Sequence, residues 1–177
     1  MRYTLANLES FPRSLKQQRP FGCIPTSIAA VMTYYGAENW KESEIYDEVI
    51  RKVKSEEHFC FEVFKKHYLD LHLDEDFRSD TRGFGHDFVA WKDSILDKIR
   101  MGMPVIASFS YIRPHAPHVM TVVEGDTETT CLMLHDPAIG NFRPLDVEVA
   151  SLERENLRRN NDVLWIERAR QRHSDCA

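Results

Sequence analysis

Apolar and small residues fill most of positions 24–35, with Pro25 near the start and Gly36 at the end. Proline suits the first helical position, where its missing N–H is not needed, and glycine suits the left-handed position that ends a helix. The pattern predicts a helix over 25–36 that is apolar on most sides, and such a helix belongs in the middle of a domain. Ala29 and Ala30 leave room for a close neighbour. Farther on, Asn39 followed three residues later by Glu42 reads as a capping box. Ile45, Tyr46, Val49, Ile50 and Val53 then recur at helical spacing, opposite Lys41, Glu44, Glu48, Arg51 and Lys52, which predicts an amphipathic helix. Phe59, Phe61, Val63, Phe64, Tyr68 and Leu69 predict another helical run.

Residues 1–16 read as an extended lead-in, and 74–86, charged and containing Gly83 and Gly85, as a loop. Trp91, Ile95, Leu96 and Ile99 mark a helix that stops at Gly102, with Pro104 just beyond. The period then changes. Residues 105–111 are strand-like, 113–117 form a proline-bounded loop, and 118–124 are a second strand. Turn chemistry at 125–129 leads to a third strand at 131–134 that ends on His135, Asp136 and Pro137. A helix at 147–157 and a last strand at 162–167 complete the order. Helices come first and strands second, which predicts an α+β fold with an antiparallel sheet in its second half. Trp40, Trp91 and Trp165 sit on apolar faces and are assigned to the core.

The 177 residues suit a single domain spanning 1–177, with a core at about 10–168 and a short polar C-terminal tail. The net charge of −5 and the acidic residues scattered among the C-terminal arginines describe a solvated face, so no nucleic-acid partner is expected. No stretch has the apolar core of a signal peptide or the length to cross a bilayer, which points to the cytoplasm without membrane insertion. The four cysteines, Cys23, Cys60, Cys131 and Cys176, are widely spaced and suggest neither a zinc site nor a disulfide framework. His58, His67 and His72 form no i, i+4 pair and read as solvated. No cofactor or metal is implied.

Cys23 stands at the entrance to the buried helix, where free N–H groups and the positive end of the helix dipole favour a thiolate. Free cysteine is also a common small core residue, so the reading turns on what else the chain supplies. His118 opens a valine-rich strand, Asp136 closes the next, and Gln17 precedes the cysteine by six residues. A thiolate–imidazolium pair needs a third polar group to hold the ring, and Asp136 meets that need. The Gln17 amide and the Cys23 N–H supply two donors for an oxyanion. A three-residue hairpin loop at 126–128 pairs Gly125 with Thr129 and sets His118 opposite Asp136, on one face. His135 then faces the other way, His115 reads as an exposed bystander, Cys60 and Cys131 as core, and Cys176 as tail.

Gln17, the run Gly22-Cys23-Ile24-Pro25-Thr26-Ser27 leading into Tyr34-Tyr35-Gly36, Gly102-Met103-Pro104-Val105-Ile106, the strand His118-Val119-Met120-Thr121-Val122-Val123-Glu124-Gly125 and Asp136-Pro137-Ala138-Ile139-Gly140 together resemble the papain-like cysteine peptidases of the bacteriocin-processing, double-glycine leader peptidase type. The resemblance runs from about residue 17 to 165 in the family's order. It implies the papain-like fold, Cys23 as nucleophile, His118 as general base and acid, Asp136 as orienting acid and Gln17 as oxyanion donor. Choosing Gln17 over the adjacent Gln18 rests on family spacing. The family's usual glycine after the cysteine is replaced by Ile24, which narrows the cleft floor or marks a member that has left peptide cleavage. Without membrane helices or a Walker-type loop, the chain resembles a stand-alone relative. The reading is a cysteine hydrolase acting on a peptide or small amide through a thioester. An acyl transferase with the same triad and a non-catalytic peptide-binding module are the alternatives.

Overall fold

The computed structural model describes residues 1–85, 87–109, 118–129, 131–146 and 162–169. The expected strand end at 110–111, the loop at 113–117 with His115, the helix at 147–157 and the tail with Cys176 lie outside the described residues. Strand β1 (Arg2–Thr4) and a 3-10 turn (Leu8–Ser10) precede helix α1 (Cys23–Tyr34) and helix α2 (Glu42–Val53). A helical run follows, built from α3 (Phe61–Phe64), a π-helical segment (Lys65–Leu69) and α4 (Asp70–His72). Strand β2 (Phe77–Gly83), helix α5 (Phe88–Arg100) and strands β3 (Val105–Phe109), β4 (His118–Asp126), β5 (Cys131–Asp136), β6 (Asn141–Asp146) and β7 (Asp162–Arg168) complete the order.

All the strands join one antiparallel sheet in the order β2-β7-β3-β4-β5-β6, and β1 pairs with the far half of β4. Successive side chains of a strand point to opposite faces. Ile106, Val119, Leu164 and Ile166 accordingly pack with Ile28, Val31 and Met32 of α1, with Ile45 and Val49 of α2, and with Phe61, Phe64 and Leu69. Val105, Ala107, Met120, Val122, Val163 and Trp165 pack instead with Trp91, Ile95, Leu96 and Ile99 of α5. The sheet is therefore covered on both faces. Helices dominate the first half and strands the second, and the architecture is α+β.

Several local expectations are corrected. The helix begins at Cys23, two residues before Pro25, still within the first turn where no intrahelical N–H donor is lost. It ends as its sequence indicated: Gly36 takes φ +77°, and the Ala37 N–H bonds the Met32 carbonyl at 3.0 Å. Asn39 adopts φ +72° and does not cap α2, whose cap residue, Lys41, makes no side-chain capping bond. The lead-in contains β1, and the expected loop at 74–86 holds β2, an edge strand paired to β7. Its Arg78, Asp80 and Arg82 made it read as loop, yet charged side chains are how exposed edges avoid further pairing. β6 was not expected at all. Trp91 and Trp165 are core, whereas Trp40 is half-buried against Tyr68. Cys60 and Cys131, expected in the core, are exposed.

Ile28 is fully buried between α1 and the sheet. Ile28→Ala leaves a cavity there and is expected to lower the unfolding free energy by about 2–5 kcal/mol, measured by urea titration of tryptophan fluorescence.

Candidate active site

Helix α1 places Cys23 at its first turn, with the Gly22 carbonyl accepting the Thr26 N–H at 3.0 Å. The far end of the helix is tied to the sheet, because the Tyr35 hydroxyl donates to the Ile166 carbonyl at 2.7 Å and Arg168 bonds the Tyr35 carbonyl. The nucleophile candidate thus sits on an element held at its C-terminal end by β7 and packed on the β3–β4 face.

His118 opens β4 and is 4% exposed; Asp136 closes β5 and is 2% exposed. The His118 Nε2 lies 2.6 Å from Asp136 Oδ1. The three-residue hairpin expected between the strands does not form. Gly125 pairs with Leu132 and Glu124 with Met133, and the register then shifts at Val123, so that Val122 meets Leu134 and Thr121 meets His135. Val123 is the extra residue of a β-bulge. Asp136 is consequently diagonal to His118 on one face, and the imidazole spans the diagonal. Two further donors complete the carboxylate: the Ala138 N–H reaches Oδ1 at 2.9 Å and Arg143 Nη1 reaches Oδ2 at 3.3 Å.

Burial by itself would raise the Asp136 carboxyl, but His118, the Ala138 N–H and Arg143 outweigh it and bring the group down to about 2. Burial would likewise lower the His118 ring. Hydrogen bonding and charge from Asp136, then from Cys23, overcome this and raise it to about 9. His135 is turned to the other face, fully buried against Phe11 at a ring separation of 5.3 Å, and burial lowers its pKa.

Gln17 is held by its backbone, whose N–H donates to the Pro137 carbonyl at 2.8 Å, one residue beyond Asp136. Its Nε2 reaches the Arg19 carbonyl at 3.2 Å, and its Oε1 is buried without a partner among the described residues. The Gln18 side chain points elsewhere, exposed and donating to the Lys16 carbonyl at 2.8 Å. The backbone N–H of Gln18 bonds Glu42 Oε2 at 2.7 Å.

A cavity of about 360 Å³ opens beside Cys23, with Ile24, Phe59, Phe61 and Val119 as apolar wall and Glu56, Glu57 and Asp162 as polar lining. Cys60 faces the same space. Ile24 was expected at the cleft floor, whereas Arg143, Glu42, Cys60 and the Phe59, Phe61 and Val119 part of this wall were not singled out as site residues. Arg143 belongs to the unexpected strand β6, Glu42 was assigned to a cap it does not make, and an aromatic run at helical spacing gives no sign that it also borders a cleft. Among the described residues, no helix is long and apolar enough to cross a membrane, and no cluster of three or more His, Cys, Asp or Glu side chains is arranged to hold a metal ion.

The fold has a counterpart of known structure. A Bacillus anthracis protein assigned as a C39-like peptidase superposes with a TM-score of 0.55 at 13% identity, covering 96% of this chain and 100% of its own. No curated protein matches the sequence significantly. The architecture is that of the papain-like cysteine peptidases, and the sequence profile described as the Peptidase_C39 like family matches residues 10–154, so the chain belongs to that family.

Proposed function

We propose that the protein is a cysteine peptidase that hydrolyses a peptide or related amide through Cys23, His118 and Asp136, with Gln17 as oxyanion donor, in one catalytic domain. The observation that carries this reading is the buried link of the proposed relay: Asp136 Oδ1 lies 2.6 Å from Nε2 of His118. Asp136 leaves Nδ1 as the nitrogen that serves sulfur and substrate. The Cys23 sulfur attacks the carbonyl carbon, and the carbonyl π electrons move to oxygen, where the Gln17 amide and the Cys23 N–H receive the charge. Collapse expels the amine, which takes its proton from the His118 imidazolium and leaves a thioester. Neutral His118 then removes a proton from water, the hydroxide adds to the thioester, and the thiolate leaves. Asp136 keeps the ring oriented and stabilises its positive form throughout.

Incubation with a peptide library, with new termini mapped by mass spectrometry, tests the activity. Cleavage is expected in the parent and absent in Cys23→Ala and His118→Ala. Asp136→Asn, which retains a hydrogen-bonding group but no charge, is expected to impair turnover less than His118→Ala. Cleavage by Cys23→Ala at the parent rate would move the chemistry elsewhere, and intact peptides with no acyl-enzyme in the parent would overturn the hydrolase reading.

The thiol itself gives a second test. Cys60 and Cys131 are exposed and Cys23 is only half-buried, so accessibility ranks Cys23 behind both. A brief, limiting dose of iodoacetamide is nonetheless expected to alkylate Cys23 first, because the proposed thiolate–imidazolium pair with His118 makes it the better nucleophile. Mass-spectrometric mapping that finds Cys60 modified ahead of Cys23 would remove the activated nucleophile.

The histidines should also separate by pH. The Cε1–H resonance of His118 is expected to titrate well above 6.5, near 9, and that of His135 below 6.5. Asp136→Asn removes the charge that favours the imidazolium, so the His118 midpoint moves to lower pH while His135 keeps the same direction of shift. An unchanged His118 midpoint in Asp136→Asn would contradict the relay.

A further inference from the structure

Glu42 is the only acidic side chain of α2 that is buried, at 8% exposure. One oxygen, Oε2, accepts the Gln18 N–H at 2.7 Å, and the other, Oε1, is buried without a partner among the described residues. Oε1 is lodged against Gly22, the residue before the nucleophile: a Cβ there would collide with it and stand 2.9 Å from the Arg19 carbonyl. Gly22 has φ −76°, an ordinary value for any residue, so it is the space taken by the carboxylate that calls for glycine. A carboxylate with one hydrogen bond is expensive to bury. This one lies where two helices begin, as the first residue of α2 and beside the cap of α1, and both N-termini favour negative charge.

The same face of α2 holds the rest of the loop. Asp47 pairs with Arg19, whose guanidinium lies over the Tyr46 ring at 4.7 Å, and the Arg19 carbonyl accepts both the Gly22 N–H and the Gln17 amide. With the Gln17 N–H on Pro137, each peptide unit flanking Gln17 has a fixed acceptor, and Glu42 supplies the second of them.

We propose that Glu42 is a positioning residue for the oxyanion side of the site: by holding the Gln18 backbone and seating Gly22, it aims the Gln17 amide and the Cys23 N–H at the substrate carbonyl oxygen. This rests on the catalytic reading above, and the test separates the two. Acetyl-dipeptide aldehydes carrying ¹³C at the aldehyde carbon form a hemithioacetal with Cys23: the sulfur adds to carbon, the thiol proton ends on oxygen, and that oxygen occupies the donor site. Iodoacetamide alkylates the same sulfur by displacing iodide and uses no oxyanion donor.

Glu42→Ala is expected to weaken the aldehyde adduct by about 10- to 100-fold while the rate of Cys23 alkylation stays within about twofold of the parent. Glu42→Gln keeps an oxygen for the Gln18 N–H and is expected to recover the adduct to within about threefold of the parent. Gly22→Ala, which displaces the carboxylate without removing it, should lose the adduct as Glu42→Ala does, and it carries the comparison with Glu42→Gln if Glu42→Ala does not fold. Equal aldehyde affinity in parent, Glu42→Ala and Gly22→Ala overturns the role of Glu42 and leaves the triad standing. Parallel loss of adduct and alkylation makes Glu42 merely structural and also overturns it. A parent that forms no hemithioacetal with any of the aldehydes overturns the catalytic reading, and the role of Glu42 with it.

Discussion

The buried contact between His118 and Asp136 constrains the geometry around it. Taking two ionisable groups out of water is unfavourable unless their attraction and further hydrogen bonds offset the lost hydration. Asp136 has those bonds from the Ala138 N–H and Arg143 as well as from the ring. The contact also demands that the two side chains share a face of the β4–β5 ladder. Near the turn the ladder has the wrong parity: continued from Glu124↔Met133, it would set Asp136 opposite Thr121 and leave His118 on the reverse face. The extra residue at Val123 restores the parity before the ladder reaches the site. A one-residue bulge thus separates a hydrogen-bonded pair from one divided by the sheet.

The remaining groups come from the other half of the chain. Gln17 is bonded through its N–H to Pro137, the residue after Asp136, so the turn that follows Asp136 also anchors the loop before Cys23. At the opposite end of α1, Tyr35 and Arg168 tie the helix to β7. A helix gripped at both ends and buried along most of its length has little freedom to shift Cys23 relative to β4, which is the rigidity the proposed Cys23–His118 pair requires.

Much of the frame was legible because periodicity and punctuation agreed. Gly36, the helical spacing of 45–53, and the turn to strand character after Gly102 each had one physical reading. The misses share a different cause. β2 and β6 are edge strands, paired on one side only, and their charges and Pro144 are tolerated there while reading as loop. The bulge left no mark because β4 is buried on both faces from His118 to Gly125: an inserted valine does not disturb an alternation that is not there. Cys23, His118 and Asp136 could be singled out as candidates from residue type and order, and Gln17 over Gln18 only through the family resemblance, but the shell around them could not. Asn39 and Glu42 matched a capping box in spacing, and nothing local revealed that Glu42 is drawn to the Gln18 backbone instead.

Helix α2 therefore does more than cover α1. Its Ile45 and Val49 enter the core, which fixes the rotation of the helix, and that rotation carries Glu42, Tyr46 and Asp47 to the loop before Cys23. Tyr46 extends the same face in the other direction, since its hydroxyl bonds Glu56 in the lining of the cavity beside Cys23. Across that cavity Ile24 is turned inward at 6% exposure and packs in one cluster with Phe61 and Val119. The side chain that replaces the family's glycine therefore serves as apolar wall and core at once, without standing free in the cleft. One amphipathic helix, set by two core residues four apart, thus reaches the loop before Cys23 at one end and the cleft lining near its middle, so a shift of α2 on the core would disturb both together.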